Sequence, residues 1–486
     1  MSNSQLNIDK RVIIGGVIAT IPLVLMLLQQ RKKPPKKITT EDNEHEFPPF
    51  NSQDFHDTVK AFSSKDGMRI ILKLQEEVGD IFRMAQKEEK RMLVFTGNLP
   101  LIQEVLKDKT SMKSPGNAGL FHDFGDDLLH SEGTFWKHSR KALQPAFSST
   151  HIKHVTEVVS KHMNTLTKRL DMYDEKGLSF DANKELHPIM CYISLDTMSQ
   201  YELSSDEYEM IMTATEIVLA ELSKANIPNR WKYGVFNSQV REARAHGRKL
   251  LHLGYKIIES YRKLESPSHD TIIHHIVNNK SYKNDRERAS DVITLFYAGF
   301  GTTKYTVTHT LKLLTKYPQY QNQLRAELKA ISKEERVKSN LLHCIIKESM
   351  RLHPVSSRGS SRITSRDIVV QKDEKSGEDE TVMIPKGSLV FCASMLLHHN
   401  PKYFKDVSEF KPERWVNPSK EESQSFIGFG LGKRGCLGQN LAKQQMYNII
   451  SRLIVDYEFT FENEGNDAFA VLHVPTDLHL FAKKII

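Results

Sequence analysis

The stretch that most constrains this chain is Phe429-Gly430-Leu431-Gly432-Lys433-Arg434-Gly435-Cys436-Leu437-Gly438. Cys436 sits among four glycines and two cations. Glycine permits turns that a Cβ forbids and lets the backbone approach a bulky group closely. Leu441, Ala442, Met446, Ile449, Ile450 and Leu453 then mark one face of a helix, so Cys436 lies just ahead of a helix N-terminus. The cations and that positive helix end are expected to favour thiolate over thiol. A thiolate on a glycine-braced loop serves as an iron ligand, a nucleophile or a redox sensor.

The surroundings narrow the choice. Gly430 to Gly435 also matches a dinucleotide fingerprint, with Asp456 about twenty residues on. That reading needs a buried strand directly before the glycines, and Asn417 to Ser425 is polar. A nucleophile reading lacks a histidine partner suggested by spacing. The four cysteines, Cys191, Cys344, Cys392 and Cys436, are far apart, so neither a zinc knuckle nor a disulfide framework is expected. The net charge of +8 is spread along the chain. No basic, aromatic-interleaved module accompanies it, which argues against nucleic acid as a partner.

The N-terminus carries its own signal. Val12 to Leu28 is uncharged and mostly aliphatic. As a helix it would span about 25 Å, near the short limit for a bilayer. Gln29-Gln30-Arg31-Lys32-Lys33-Pro34-Pro35-Lys36-Lys37 follows. Cations after the apolar run outweigh those before it, so a single-pass anchor with a cytosolic body is expected. The organisation read from the sequence is an anchor and basic flank at 1–33, a proline-containing linker at 34–50, and a catalytic domain at 51–486. Within that domain, helical periodicity covers 151–172, 204–225, 237–265, 286–317 and 318–334. Arg69–Leu74, Arg91–Thr96, Ile368–Gln371, Thr381–Ile384, Ser388–Cys392 and Tyr457–Phe461 read as short strands. The fold class is therefore mainly α (α+β), with a small β-rich region and no strand–helix alternation.

Three further patterns precede the cysteine: Trp136-x-x-x-Arg140, Glu348-x-x-Arg351, and Phe410-Lys411-Pro412-Glu413-Arg414-Trp415. Between the first two lies Ala298-Gly299-Phe300-Gly301-Thr302-Thr303. With Phe429, Gly432, Arg434, Cys436 and Gly438 matching Phe-x-x-Gly-x-Arg-x-Cys-x-Gly, the chain resembles the haem-thiolate monooxygenases, the cytochromes P450. The likeness runs from about Trp136 to Gly438, with the motifs in the family's order.

The resemblance implies a mainly helical fold with a small β-rich subdomain, and haem (haem b) between the long helix and the cysteine loop. It implies that Cys436 is the axial ligand of the haem iron, where a thiolate favours O–O cleavage. Arg434, Trp136, Arg140 and Arg362 would lie at the haem propionates. Glu348, Arg351 and Arg414 would form a buried structural triad. Ala298, Gly299, Gly301 and Thr302 fall on the oxygen-binding groove, with Thr302 supporting proton delivery. Gly301 departs from the family pattern, which has an acid there. The implied activity is insertion of one atom of O2 into a small lipophilic substrate such as a lipid or terpenoid. Electrons would come from NADPH through a flavoprotein reductase at the endoplasmic reticulum membrane, with Lys433 and Lys443 helping to dock it. The alternative is an isomerase or dehydratase of this family that needs neither O2 nor reductase. Leu120, Phe121, Phe296, Val355 to Ser361 and Val471 to His473 are the expected pocket linings, with Arg358 facing either a polar substrate group or solvent. His274-His275 and His151 with His154 are expected to be solvated or packed, and His398-His399 structural.

Overall fold

A long helix runs through the largest apolar core of the molecule, and several other helices pack against it. The computed structural model describes residues 50–51, 67–84, 92–113, 127–148, 154–222, 234–267, 269, 271–371, 381–469 and 472–485. All of these belong to one unit, Glu46–Ile486. The expected anchor, most of the linker, His151, Leu120, Phe121 and Val471 lie outside the described residues. Among the described residues, no helix is long and apolar enough to cross a membrane.

In chain order the longer helices are α1 (Gly67–Val78), α2 (Leu99–Lys107), α3 (Gly133–Leu143), α4 (Val155–Glu175), α5 (Ala182–Ser199), α6 (Ser205–Leu222), α7 (Ser238–Arg262), α8 (Asp285–Lys316), α9 (Pro318–Ala330), α10 (Asn340–Leu352) and α11 (Gln439–Asp456). The strands are β1 (Phe50–Asn51), β2 (Ile81–Met84), β3 (Leu93–Thr96), β4 (Met112–Lys113), β5 (Phe180–Asp181), β6 (Ser360–Ile363), β7 (Ile368–Gln371), β8 (Thr381–Ile384), β9 (Leu389–Cys392), β10 (Tyr457–Asn463), β11 (Asn466–Phe469), β12 (His473–Thr476) and β13 (His479–Lys484).

The long helix α8 starts where the Asn284 side chain accepts from the Glu287 N–H, and Asp285 and Glu287 complement its positive end. It is buried over most of its circumference, with α5, α7, α10 and α11 packed against it. A helix buried all round reads as a core element rather than a surface one. Pro318 opens α9, where its missing N–H has no helical partner to lose. The largest apolar cluster joins α4, α5, α7, α8, α10 and α11. Two smaller clusters flank a six-stranded sheet of order β1-β2-β3-β9-β6-β4. The strand order β10-β13-β5 and the hairpins β11-β12 and β7-β8 complete the β structure.

One expectation is corrected. Arg69–Leu74 is part of helix α1, not a strand. Gly67, Ile71 and Leu74 are buried while Arg69 is exposed, which is helical spacing on a half-buried face. The run is too short for its apolar content to reveal the period.

Candidate active site

The cysteine loop is held by its own backbone before any side chain contributes. The Cys436 N–H donates to Phe429 O at 2.8 Å, Gly435 N to Gly432 O at 3.0 Å, and Gly430 N to Ile427 O at 2.8 Å. Gly430 and Gly432 sit at φ +74° and +69°, the left-handed region that glycine enters at least cost. A Cβ at Gly432 would lie 2.5 Å from Leu106 O on α2, so that position tolerates no side chain. Gly438 caps α11, and its carbonyl accepts from Ala442 N at 2.8 Å.

Helix α3 docks on this loop. Arg140 Nη1 donates to Gly435 O at 2.9 Å, and the Arg434 guanidinium lies 3.9 Å over the Trp136 ring. Two motifs nearly three hundred residues apart are thus brought together around Cys436. Cys191, Cys344 and Cys392 are buried, whereas Cys436 is exposed. The thiol is nonetheless walled closely: desolvation raises its pKa, outweighing the Gly438 N–H and the Arg140 cation, which lower it. This corrects the expectation that the loop alone favours thiolate. Ligation by a metal ion is what deprotonates such a thiol outright.

Cations gather beside the loop. Arg434 reaches Glu132 at 2.7 Å and the Ser131 carbonyl at 2.5 Å. Arg362 on β6 is buried, and its guanidinium donates to the Ser361 carbonyl at 2.8 Å. Lys113 on β4 donates to the Leu129 carbonyl, with Arg434 and Arg362 close enough to repel it. Desolvation and then those two arginines push its pKa down to about 7. Four cations, Lys113, Arg140, Arg362 and Arg434, meet two carboxylates, Glu132 and Asp127. Asp127 is already taken by the His130 ring and by the Leu129 and His130 N–H groups. Arg362 is buried and the other three are half-buried, and this surplus of partly desolvated positive charge would suit a dianionic ligand such as the two propionates of haem.

On α8, the helix is locally open. Ala298 is exposed and Thr302 half-buried within an otherwise buried helix. A Cβ at Gly299 would meet nothing within 4 Å, and one at Gly301 only Leu472 Cδ1 at 3.8 Å. Thr302 Oγ1 donates to Ala298 O at 2.7 Å. Small residues therefore open a groove on this face, with the Thr302 hydroxyl at its edge.

Glu348 accepts from Arg351 Nε at 3.0 Å and Nη2 at 2.9 Å, from Arg414 Nε at 3.0 Å, and from Trp415 Nε1 at 2.9 Å. The expected triad is thus present, and Trp415 joins it. Arg351 also donates to the carbonyls of His398, Val407 and Glu409. His398 Nε2 accepts from the Ile427 N–H, so this histidine is structural. His274 is engaged by the Tyr261 hydroxyl at 2.7 Å.

Other residues singled out by sequence are placed as follows. Phe296 is 1% exposed and stacks on Phe300. Arg358 is half-buried, and its Nη2 is buried with no hydrogen-bond partner among the described residues. Lys433 is exposed, while Lys443 lies half-buried over the Phe429 ring at 5.6 Å. Sequence reasoning missed Lys113 and Glu132, which no spacing connects to the cysteine. It also missed a cluster of His309, His353, Asp467 and His473, drawn from four elements.

A profile of the family described as Cytochrome P450 matches residues 59–472. A probable cytochrome P450 508C1 of Dictyostelium discoideum is 26% identical, over 76% of this chain and 80% of the relative. A cytokinin hydroxylase of Arabidopsis thaliana is 25% identical, covering 79% of this chain and 78% of its own length. Human cytochrome P450 3A5 is 24% identical over 74% of each chain. The match spans α3, the groove of α8, the Glu348 cluster and the Cys436 loop alike. The chain belongs to the cytochrome P450 family, and it is a haem-dependent oxidoreductase of the monooxygenase type.

Proposed function

We propose that this protein is a membrane-tethered monooxygenase in which Cys436 is the haem-iron ligand, acting on a small lipophilic substrate with electrons from NADPH through a flavoprotein reductase. The observation that carries the proposal is the convergence on one exposed cysteine. Its loop is braced by glycines, gripped by Arg140, and bordered by buried and half-buried cations in excess of their carboxylates. When bound, haem iron supplies O2 activation and oxygen-atom transfer. The chain's own residues do the rest. Arg362, Lys113, Arg140 and Arg434 would hold the propionates. Phe429, Gly432 and Gly438 shape the loop that presents the thiolate. Ala298, Gly299 and Gly301 leave room for O2, and Thr302 moves a proton at its hydroxyl.

The remaining parts rest on sequence. Val12 to Leu28 and its basic flank support an anchor in the endoplasmic reticulum membrane, with residues 51–486 in the cytosol. The exposed Lys433 beside the cysteine suits an acidic reductase surface.

A second reading has one specific observation behind it. Gly301 stands where the family carries an acid, so one proton carrier is missing. An isomerase or dehydratase acting on an oxygenated substrate would not need it. Turnover of a panel of lipids and terpenoids, with and without NADPH, reductase and isotopically labelled O2, separates the two. The proposal expects product only with all three and labelled oxygen in that product. Product formed without O2 and NADPH would replace it with the second reading.

A further inference from the structure

Behind the groove of α8, four ligand-type side chains from four elements converge. His309 lies on α8, His353 directly after α10, Asp467 on β11 and His473 on β12. One nitrogen or oxygen from each falls within 4.8 Å of all the others. His473 Nε2 is 3.6 Å from Asp467 Oδ2, and His353 Nδ1 is 3.9 Å from the same oxygen. His309 and His473 are 0% and 1% exposed. Among the described residues, His309 Nδ1, His353 Nδ1 and both ring nitrogens of His473 have no partner within hydrogen-bond distance. Buried imidazole nitrogens are normally satisfied, so unpartnered ones aimed at one carboxylate need a reason.

We propose that His309, His353, Asp467 and His473 form a binding site for a divalent cation of the zinc class, separate from the haem iron. Three imidazoles and one carboxylate make a ligand set suited to zinc in tetrahedral geometry. Zinc–ligand bonds of about 2.0–2.1 Å place tetrahedral ligands roughly 3.3 Å apart. The two contacts to Asp467 therefore close by only about 0.3 and 0.6 Å. The His309 and His353 rings are stacked nearly parallel at 4.6 Å and tilt toward a shared centre when the ion binds.

The surrounding groups agree with this assignment. His309 Nε2 faces the His473 carbonyl at 3.4 Å, which fixes the tautomer that leaves Nδ1 its lone pair. Lys312 Nζ lies 3.4 Å from Asp467 Oδ1, leaving Oδ2 for the ion. His353 and Asp467 keep 20% and 24% exposure, which provides an entry path. The ion would clamp the hairpin β11-β12 to α8 and α10. Leu472, beside His473, is the residue nearest the open position at Gly301, so the clamp would set one wall of the oxygen groove.

The test uses the full-length, haem-loaded protein, stripped of loosely held metal and titrated with zinc against a chromophoric chelator. The expected result is one zinc per chain. X-ray absorption at the zinc edge should show nitrogen and oxygen ligands at about 2.0–2.1 Å and no sulfur. His309→Ala and His473→Ala should weaken zinc at least tenfold, in the range of lost metal-site contacts, while the reduced CO spectrum is retained. Should either fail to hold haem, Asp467→Asn and His353→Gln decide the question by the same titration. Zinc binding unchanged in these variants would overturn the proposal. So would an absence of stoichiometric zinc, sulfur ligation, or zinc lost instead in His269→Ala, since the His269–His274 pair lies in a separate, exposed position.

Discussion

The carboxylate of Glu348 is met on both oxygens by Arg351, Arg414, Trp415 and the Lys411 N–H, and its side chain and that of Arg351 are fully buried. Beside Cys436, Arg362 is buried and Lys113 half-buried, but they face one another, Arg434 and only two carboxylates. Both regions cost desolvation energy. In the first, that cost is offset inside the chain, as it must be for a cluster that holds the fold. In the second it is left outstanding, which is how a site prepared for an anionic ligand differs from a structural one. The motif residues alone do not display this distinction. Glu348-x-x-Arg351 and Trp136-x-x-x-Arg140 look equally plausible as surface pairs.

The comparison breaks most visibly at Glu348. Glu348→Ala strands two arginines and should destabilise the protein by about 3–5 kcal/mol, the range for half of a buried ion pair. Denaturant unfolding of the haem-free form measures it, and a loss below about 1 kcal/mol would show that the cluster is not closed as described. Arg362→Ala should act oppositely, keeping the fold and loosening haem. Loss of a charged hydrogen bond, about 1.5–3 kcal/mol, predicts roughly ten- to hundred-fold faster transfer of haem to a scavenger apoprotein. Equal haem retention with lowered stability would move Arg362 into the structural class.

A smaller effect follows from Lys113. Its pKa is lowered to about 7 in the chain, chiefly by burial, and an anion beside it would raise that value. Haem binding therefore takes up a proton there. Affinity should be full below pH 7 and decline as pH rises above it, and Lys113→Met should flatten that decline. An affinity that climbs between pH 7 and 9 would contradict the assignment. The smallest effect is at the surface. Lys433→Glu should raise the apparent KM for reductase a few-fold at low salt, and the difference should vanish near 0.5 M salt, where exposed charges are screened.

Much of this architecture was legible. The long helix was expected at 286–317 and found at Asp285–Lys316, because its capping acids and the Pro318 stop are local signals. Ile368–Gln371 and Thr381–Ile384 were read to the residue, bounded as they are by turn chemistry. Arg69–Leu74 was misread because a short apolar run carries too little period. At the site, the glycines and Cys436 were legible as a contiguous motif. Glu132, Lys113 and the histidine cluster were not, because their neighbours are set by topology and lie far away in sequence. The direction of the Cys436 pKa was also misjudged. Desolvation of the sulfur by the packed loop dominates it, and that is set by the fold rather than by the adjacent Lys433 and Arg434.

The central claim is that Cys436 ligates haem iron as a thiolate. The direct measurement is the reduced, CO-bound absorption spectrum of the parent and of Cys436→Ala, with haem content quantified in each. The account predicts the thiolate-type band in the parent, and its loss in the variant even where haem is retained. A parent protein that binds haem without that band, or a variant that keeps it, would contradict the account.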